Sequence, residues 1–195
     1  MEDVVIVSGV RTAIGSYGGG FVGTGAAELG ATVIREAVSR AGVEPQQVDQ
    51  VVMGCAGQFG EDAYLSRVAA VNGGLPQEVP AYTVNRLCGS GLEAINTAAR
   101  WIETGDADVI VAGGAENMSR YPYLMDSARW GVRMGNAEMS DGLLQILNDP
   151  FNRYHMGVTA ENLVDQWNLS RESLDEFSVA SHEKAVRAID EGIFK

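Results

Sequence analysis

Cysteine chemistry stands out at one place in this sequence. The run Asn85-Arg86-Leu87-Cys88-Gly89-Ser90-Gly91-Leu92-Glu93-Ala94 sets a thiol between a predicted strand, Ala81–Asn85, and a predicted helix, Ser90–Glu103. Unpaired N–H groups at a helix N-terminus carry partial positive charge and favour thiolate over thiol. Cysteines in such positions can fall from about 8.5 into roughly the 3.5–7.5 range. Gly89 and Gly91 leave room for a substrate to reach the sulfur, and the backbone N–H groups beside them could hold an oxyanion. The competing reading is a thiol packed in a strand–helix turn, and the residues by themselves leave both open.

Other groups are weaker candidates. Cys55-Ala56-Gly57 offers a second thiol after a strand predicted at Val48–Met53, and a small buried thiol suits that apolar setting better than a catalytic one. Of the two histidines, His155 lies in an irregular stretch, where it could act as a base or hydrogen-bond within a loop. His182 falls on a surface helix. Gly18-x-Gly20-x-x-Gly23 has the letters of a dinucleotide fingerprint, but Ser8–Tyr17 separate it from the nearest strand, so the strand–turn–helix geometry is absent. The acids are scattered and the histidines far apart, so no metal site is expected.

The elements that must position Cys88 alternate. Val4–Val7 is a continuous β-branched run of the kind found in strands covered on both faces. A helix over Ala26–Ala41 follows, with a stripe through Leu29, Val33, Ala37 and Ala41, and Gly42 stops it. After the strand at Val48–Met53 come a helix through Leu65, Val68, Ala69 and Asn72, and then the Ala81–Asn85 strand. The helix behind Cys88 has Leu92, Ile95, Ala99 and Ile102 on one face and Gly105 at its end, and Val109–Ala112 is the last strand. Strand and helix in alternation predict an α/β layered domain with a mostly parallel sheet. Regular periodicity ends near Met118. Ser119–Asn152 is irregular, and two helices follow, near Thr159–Trp167 and Ser170–Glu191. Ser170 is the N-cap of the second, with Leu174, Phe177, Ser181, Ala185 and Ala188 along one stripe.

Bulk properties narrow the function. A net charge of −12 over 195 residues argues against nucleic acid or an anionic membrane surface as partner. Two cysteines cannot build a disulfide framework, Met1–Val10 has no signal-peptide pattern, and Val4–Val7 is too short to span a bilayer. These features predict a soluble protein of a reducing compartment, the cytoplasm. The sequons at Asn117 and Asn168 are then chance matches.

Several motifs in register resemble the thiolase family. Asn85-x-x-Cys88-x-Ser90-Gly91 is similar to its nucleophile motif, and Val4–Arg11-Thr12 to its opening strand. Gly113-Gly114-Ala115-Glu116-Asn117-Met118-Ser119 resembles its Gly-Gly-x-Glu-x-Met-Ser segment, and Tyr154-His155-Met156-Gly157 with Thr159–Asn162 the start of its loop domain. The resemblance implies a thiolase-like layered α/β fold: one βαβ-type half-domain over residues 1–118 with the nucleophile, and most of a loop domain over 119–195. It implies that Cys88 takes an acyl group from an acyl-CoA or 3-ketoacyl-CoA, with its own N–H as half of an oxyanion hole. Leu147, His155 and Met156 match positions that line the pantetheine tunnel. No cofactor is implied beyond the coenzyme A thioester substrate. Against an acidic chain, any cation that meets its phosphates must be local or come from another chain.

The resemblance also predicts an incomplete machine. Thiolases are about twice this long, and their second half supplies an Asn-Glu-Ala-Phe segment, a Gly-His-Pro histidine and a Cys-x-Gly cysteine, none of which is recognisable in its place here. The sequence stops inside the loop domain. The expectation is therefore a subunit or fragment active with a second chain that supplies the C-terminal half, within a higher oligomer. Two alternatives share some of these features: a condensing enzyme of the ketoacyl synthase type, and a non-catalytic subunit that binds or scaffolds.

Overall fold

The computed structural model describes residues 3–193. By packing, the chain forms two compact units, the first ending at Ile146 and the second starting at Leu147. The break in sequence character at Met118 marks where periodicity stops, whereas the packing boundary marks where contacts thin.

The first unit is built on a three-stranded parallel sheet with order β2-β1-β3: β1 at Gln50–Gly54, β2 at Ala81–Val84 and β3 at Ile110–Gly114. Parallel neighbours need long crossovers, which helices supply here. Helix α1 (Ala26–Ala41) precedes β1, α2 (Leu65–Asn72) joins β1 to β2, and α3 (Ser90–Thr104) joins β2 to β3. This is the expected α/β architecture. Gly42 and Gly105 end α1 and α3 in the left-handed conformation, at φ 65° and 76°. They close the last turns with backbone N–H bonds, as the sequence predicts.

Both faces of the central strand are covered. Val51, Val52 and Met53 are consecutive, so they point to alternate faces, and all three are buried. On the Met53 face lies α1, whose Gly30 leaves space that a Cβ would fill within 3.5 Å of the Met53 methyl and 3.0 Å of Ala69 in α2. On the opposite face Gly54 meets the start of α3, where a Cβ would stand 2.4 Å from the Ser90 carbonyl carbon. Buried Ser66 stitches α2 to the sheet: its Oγ accepts from Met53 N–H at 3.1 Å, and its N–H donates to Thr83 Oγ1 at 3.1 Å.

Several expectations are corrected. Val4–Val7 forms no ladder, and Val5, Ile6 and Val7 are 71%, 81% and 69% exposed. β-propensity reflects packing on a pleated surface, and a β-branched run without hydrogen-bonded neighbours is not a strand. The buried stripe of α1 is Ala26, Ala27, Gly30, Ala31, Ile34 and Val38, not Leu29–Val33–Ala37–Ala41, because close contact with α2 selects small residues. On α3 the buried ridge is Ser90, Ala94 and Ala98, while Leu92 and Ile95 face outward. The irregular region contains a short antiparallel pair, β4 (Tyr123–Leu124) with β5 (Ser140–Asp141), followed by α4 (Gly142–Leu147).

The second unit holds α5 (Met156–Trp167) and α6 (Arg171–Asp190). Ser170 caps α6, accepting from Ser173 N–H at 3.1 Å, as expected. The predicted apolar stripe of α6 is not buried: Phe177 is 78% exposed, and α6 has no buried residue. Phe194 and Lys195 lie outside the described residues.

Candidate active site

Parallel pairing brings the C-terminal ends of the three strands to one edge, since Gly54 is in register with both Val84 and Gly114. Sheets of this type present their ligand sites beyond the carboxyl ends of the strands. The segments that leave this edge are Cys55-Ala56-Gly57 after β1, Asn85–Gly89 after β2 and Ala115-Glu116-Asn117 after β3.

The second of these carries Cys88, which is exposed and stands immediately before Gly89, the N-cap of α3. Leu87 is in the left-handed region at φ 50°, which costs a non-glycine residue about 1–2 kcal/mol. Such strain persists only where surrounding bonds over-determine it. They do so here. Buried Ser90 Oγ accepts from Arg86 N–H at 2.8 Å and donates to Leu87 C=O at 2.6 Å. Leu87 N–H donates to Asn85 Oδ1 at 2.9 Å, and Asn85 Nδ2 donates to Ala56 C=O at 3.0 Å. Arg86 reaches forward to Glu93 at 3.2 Å, which ties the turn to the helix behind it. A thiol held this way is an accessible group on a fixed backbone at a helix N-terminus.

Cys55 sits in the opposite environment. It is buried, and its Sγ donates to Glu116 Oε1 at 3.4 Å. Burial, reinforced by the Glu116 carboxylate, pushes its thiol well above the ordinary range. The same two causes push up the Tyr121 phenol, which donates to Glu116 Oε1 at 2.7 Å. They also raise the carboxyl of Asp62. Cys55 is thus held as a neutral, inaccessible thiol.

Leu147, His155 and Met156 belong to the second unit. Leu147 ends α4 half-buried. His155 is the N-cap of α5, its Nδ1 accepting from Gly157 N–H at 3.0 Å, and Met156 opens that helix half-buried. His182 is exposed on α6. The glycine run is a structural loop: Gly18 N–H donates to Ser119 Oγ, and buried Asn117 Nδ2 donates to the Phe21 and Thr24 carbonyls at 2.8 and 2.7 Å. A cavity of about 780 Å³ lies among the N-terminal segment, α1, α3 and β3, and neither cysteine lines it.

The family described as "Thiolase, N-terminal domain" matches residues 4–195. The chain belongs to the thiolase family. It is 55% identical over 195 residues to a beta-ketothiolase of Cupriavidus necator and 50% identical over 196 residues to an acetyl-CoA acetyltransferase of Pseudomonas aeruginosa. Each match covers 100% of this chain and 50% of the relative. The crystal structure of the Bacillus anthracis acetyl-CoA acetyltransferase superposes with a TM-score of 0.92 at 43% identity, over 97% of this chain and 48% of that one. The chain spans about half the length of the curated relatives it matches. What this thiolase half adds to the sequence reading is the cluster around Glu116. The letter appears in the Gly-Gly-x-Glu segment, but its donors at Cys55, Ala56 and Gly57 come from a distant stretch of chain and no local pattern announces them.

Proposed function

We propose that this thiolase half carries the acyl-accepting step of a thiolase reaction. Cys88 Sγ, as thiolate, attacks the carbonyl carbon of an acyl-CoA, and the carbon–sulfur bond to coenzyme A breaks. With a 3-ketoacyl-CoA it attacks the 3-keto carbon, and the carbon–carbon bond breaks with the electron pair leaving on acetyl-CoA, which then takes up a proton. Either route leaves a thioester on Cys88. The observation that carries this reading is an exposed cysteine on a bond-locked left-handed turn at a helix N-terminus, in a chain of this family. The Cys88 N–H is proposed as one oxyanion donor. Leu147, His155 and Met156 are proposed to contact the pantetheine arm, with the coenzyme A thioester as substrate and no separate cofactor. In the family's terms, residues 1–118 are the nucleophile-bearing half-domain and 119–195 part of the loop domain.

We further propose that turnover needs the complementary C-terminal half, on the same or a second polypeptide, in a soluble cytoplasmic oligomer. Curated relatives of twice this length support it. So do the outward-facing Leu92 and Ile95 on α3 and the exposed Val5–Val7 run, which are apolar surface of a kind lone soluble domains rarely leave open. The test is thiolysis of acetoacetyl-CoA by the 195-residue chain alone and after addition of a complementary half. Activity only in the completed protein is expected, because removing cooperating catalytic groups costs several orders of magnitude, on the order of 10³ or more. Normal turnover by a folded chain alone would overturn the proposal.

A further inference from the structure

The third strand end holds a group that does not touch the reacting atoms of acyl transfer onto Cys88. Glu116 follows β3, and its carboxylate gathers donors from two other segments. Oε2 accepts from Ala56 N–H at 2.7 Å, while Oε1 accepts from Gly57 N–H at 3.2 Å, Tyr121 Oη at 2.7 Å and Cys55 Sγ at 3.4 Å. The peptide group that carries the Ala56 carbonyl is therefore held on its N–H side by the Gly57–Glu116 bond and the preceding peptide group by the Ala56–Glu116 bond, both charge-assisted and each about twice as strong as a neutral one.

The opposite side of residue 56 leads to the nucleophile. Ala56 C=O accepts from Asn85 Nδ2 at 3.0 Å, and Asn85 Oδ1 accepts from Leu87 N–H at 2.9 Å. Leu87 is the residue in the left-handed conformation, and Cys88 comes next. The side-chain amide of Asn85 is exposed, and the torsion that orients such an amide is broad. What selects the orientation with oxygen toward Leu87 is a fixed carbonyl at Ala56, and what fixes that carbonyl is Glu116. Ser90 holds the turn from the α3 side, and the Glu116–Ala56–Asn85 path holds it from the β1 side.

We propose that Glu116 is a positioning residue for Cys88, acting through the Ala56 backbone and the Asn85 amide to hold the Leu87 turn in its attacking geometry. This rests on the reading of Cys88 as nucleophile. Tyr121 bonds the same carboxylate but lies off the path, so it separates positioning from plain structural support.

The experiment uses the completed two-half protein and five variants: Glu116→Gln, Glu116→Asp, Asn85→Ala, the combination of Glu116→Gln with Asn85→Ala, and Tyr121→Phe. The readouts are the single-turnover rate of Cys88 acetylation by acetyl-CoA, kcat and KM for acetoacetyl-CoA thiolysis, and Tm. In Glu116→Gln the amide NH₂ faces either Ala56 N–H or Gly57 N–H, so one of the two backbone bonds is lost. Acetylation and kcat should then fall by about tenfold or more while KM stays within about twofold, since small misplacements of reacting groups cost rate more than binding. Asn85→Ala should show the same loss, and the combination should be no slower than either alone, because both cut one path. Glu116→Asp should recover part of the rate. Tyr121→Phe should lower Tm and leave the acetylation rate at wild type. A Glu116→Gln protein that acetylates at the wild-type rate, or a combination whose losses multiply, overturns the inference. If Glu116→Gln does not fold, exposed Asn85→Ala carries the test through its KM-against-kcat split. Absence of acetyl on wild-type Cys88 would instead sink the nucleophile reading beneath it.

Discussion

Two cysteines leave adjacent parallel strands at the same edge of one sheet, and the protein treats them in opposite ways. Cys55 follows β1, the central strand, where both faces are covered, and it faces a carboxylate that raises its pKa. Cys88 follows β2, an edge strand, after a left-handed residue, and is exposed at the start of α3. A thiol's chemistry here is set by sheet position and by which charge it faces, since residue type and a place just beyond a parallel strand are common to both. The Cys-x-Gly letters at Cys55 carry no such environment.

Replacing each thiol in the completed protein breaks the comparison most sharply. Cys88→Ser should cost acyl transfer several orders of magnitude, on the order of 10³ or more, as loss of a nucleophile from a cooperating set does. Cys55→Ala should leave kcat within a few-fold and instead cost about 1–2 kcal/mol of stability, through a small cavity and a lost hydrogen bond. Steady-state thiolysis and denaturant titration of both variants check this pair.

The glycine floor gives a smaller, mixed effect. A Cβ at Gly54 would stand 2.4 Å from the Ser90 carbonyl carbon and 2.7 Å from Gly91 N, both backbone atoms that cannot swing aside. Gly54→Ala should therefore displace the start of α3, lower stability by about 1–3 kcal/mol and slow Cys88 acylation. A variant with wild-type acylation would mean that the Cys88 turn is not seated on β1.

The smallest effect is a pH dependence. The folded-state pKa of Cys55 is raised, so the native protein keeps that proton while the unfolded chain, with a thiol near about 8.5, loses it. Stability should be unaffected by this group below that value and decline as pH rises above it, where the unfolded state binds fewer protons than the native one. Tyr121 adds in the same direction once pH passes the ordinary phenol value of about 10. Chemical denaturation from neutral to alkaline pH should show the decline, and Cys55→Ala should flatten its first part.

Much of this was legible in the sequence because local rules marked it. Gly42, Gly105 and Ser170 end or start their helices by cap chemistry that needs no tertiary context. The three sheet strands and the junction at Cys88 followed from periodicity, and the family from motifs in register. Helix faces were harder. Gly30, Ala94 and Ala98 carry the close contacts while hydropathy weights Leu29, Leu92 and Ile95, so the buried stripes fell one position aside. Val4–Val7 shows the limit of propensity, since ladder bonds are made with a neighbour that no local pattern specifies. The Glu116 path was invisible for the same reason: its donors at Cys55, Ala56 and Gly57 meet it only after β1 and β3 pair.

The central claim is that Cys88, and not Cys55, takes the acyl group. Its most direct test is brief incubation of the completed protein with acetyl-CoA, acid quench, and mapping of the thioester by mass spectrometry of the two cysteine peptides. Acetyl on the Cys88 peptide and none on the Cys55 peptide is expected. Acetyl on Cys55, or equal occupancy of both, would contradict it.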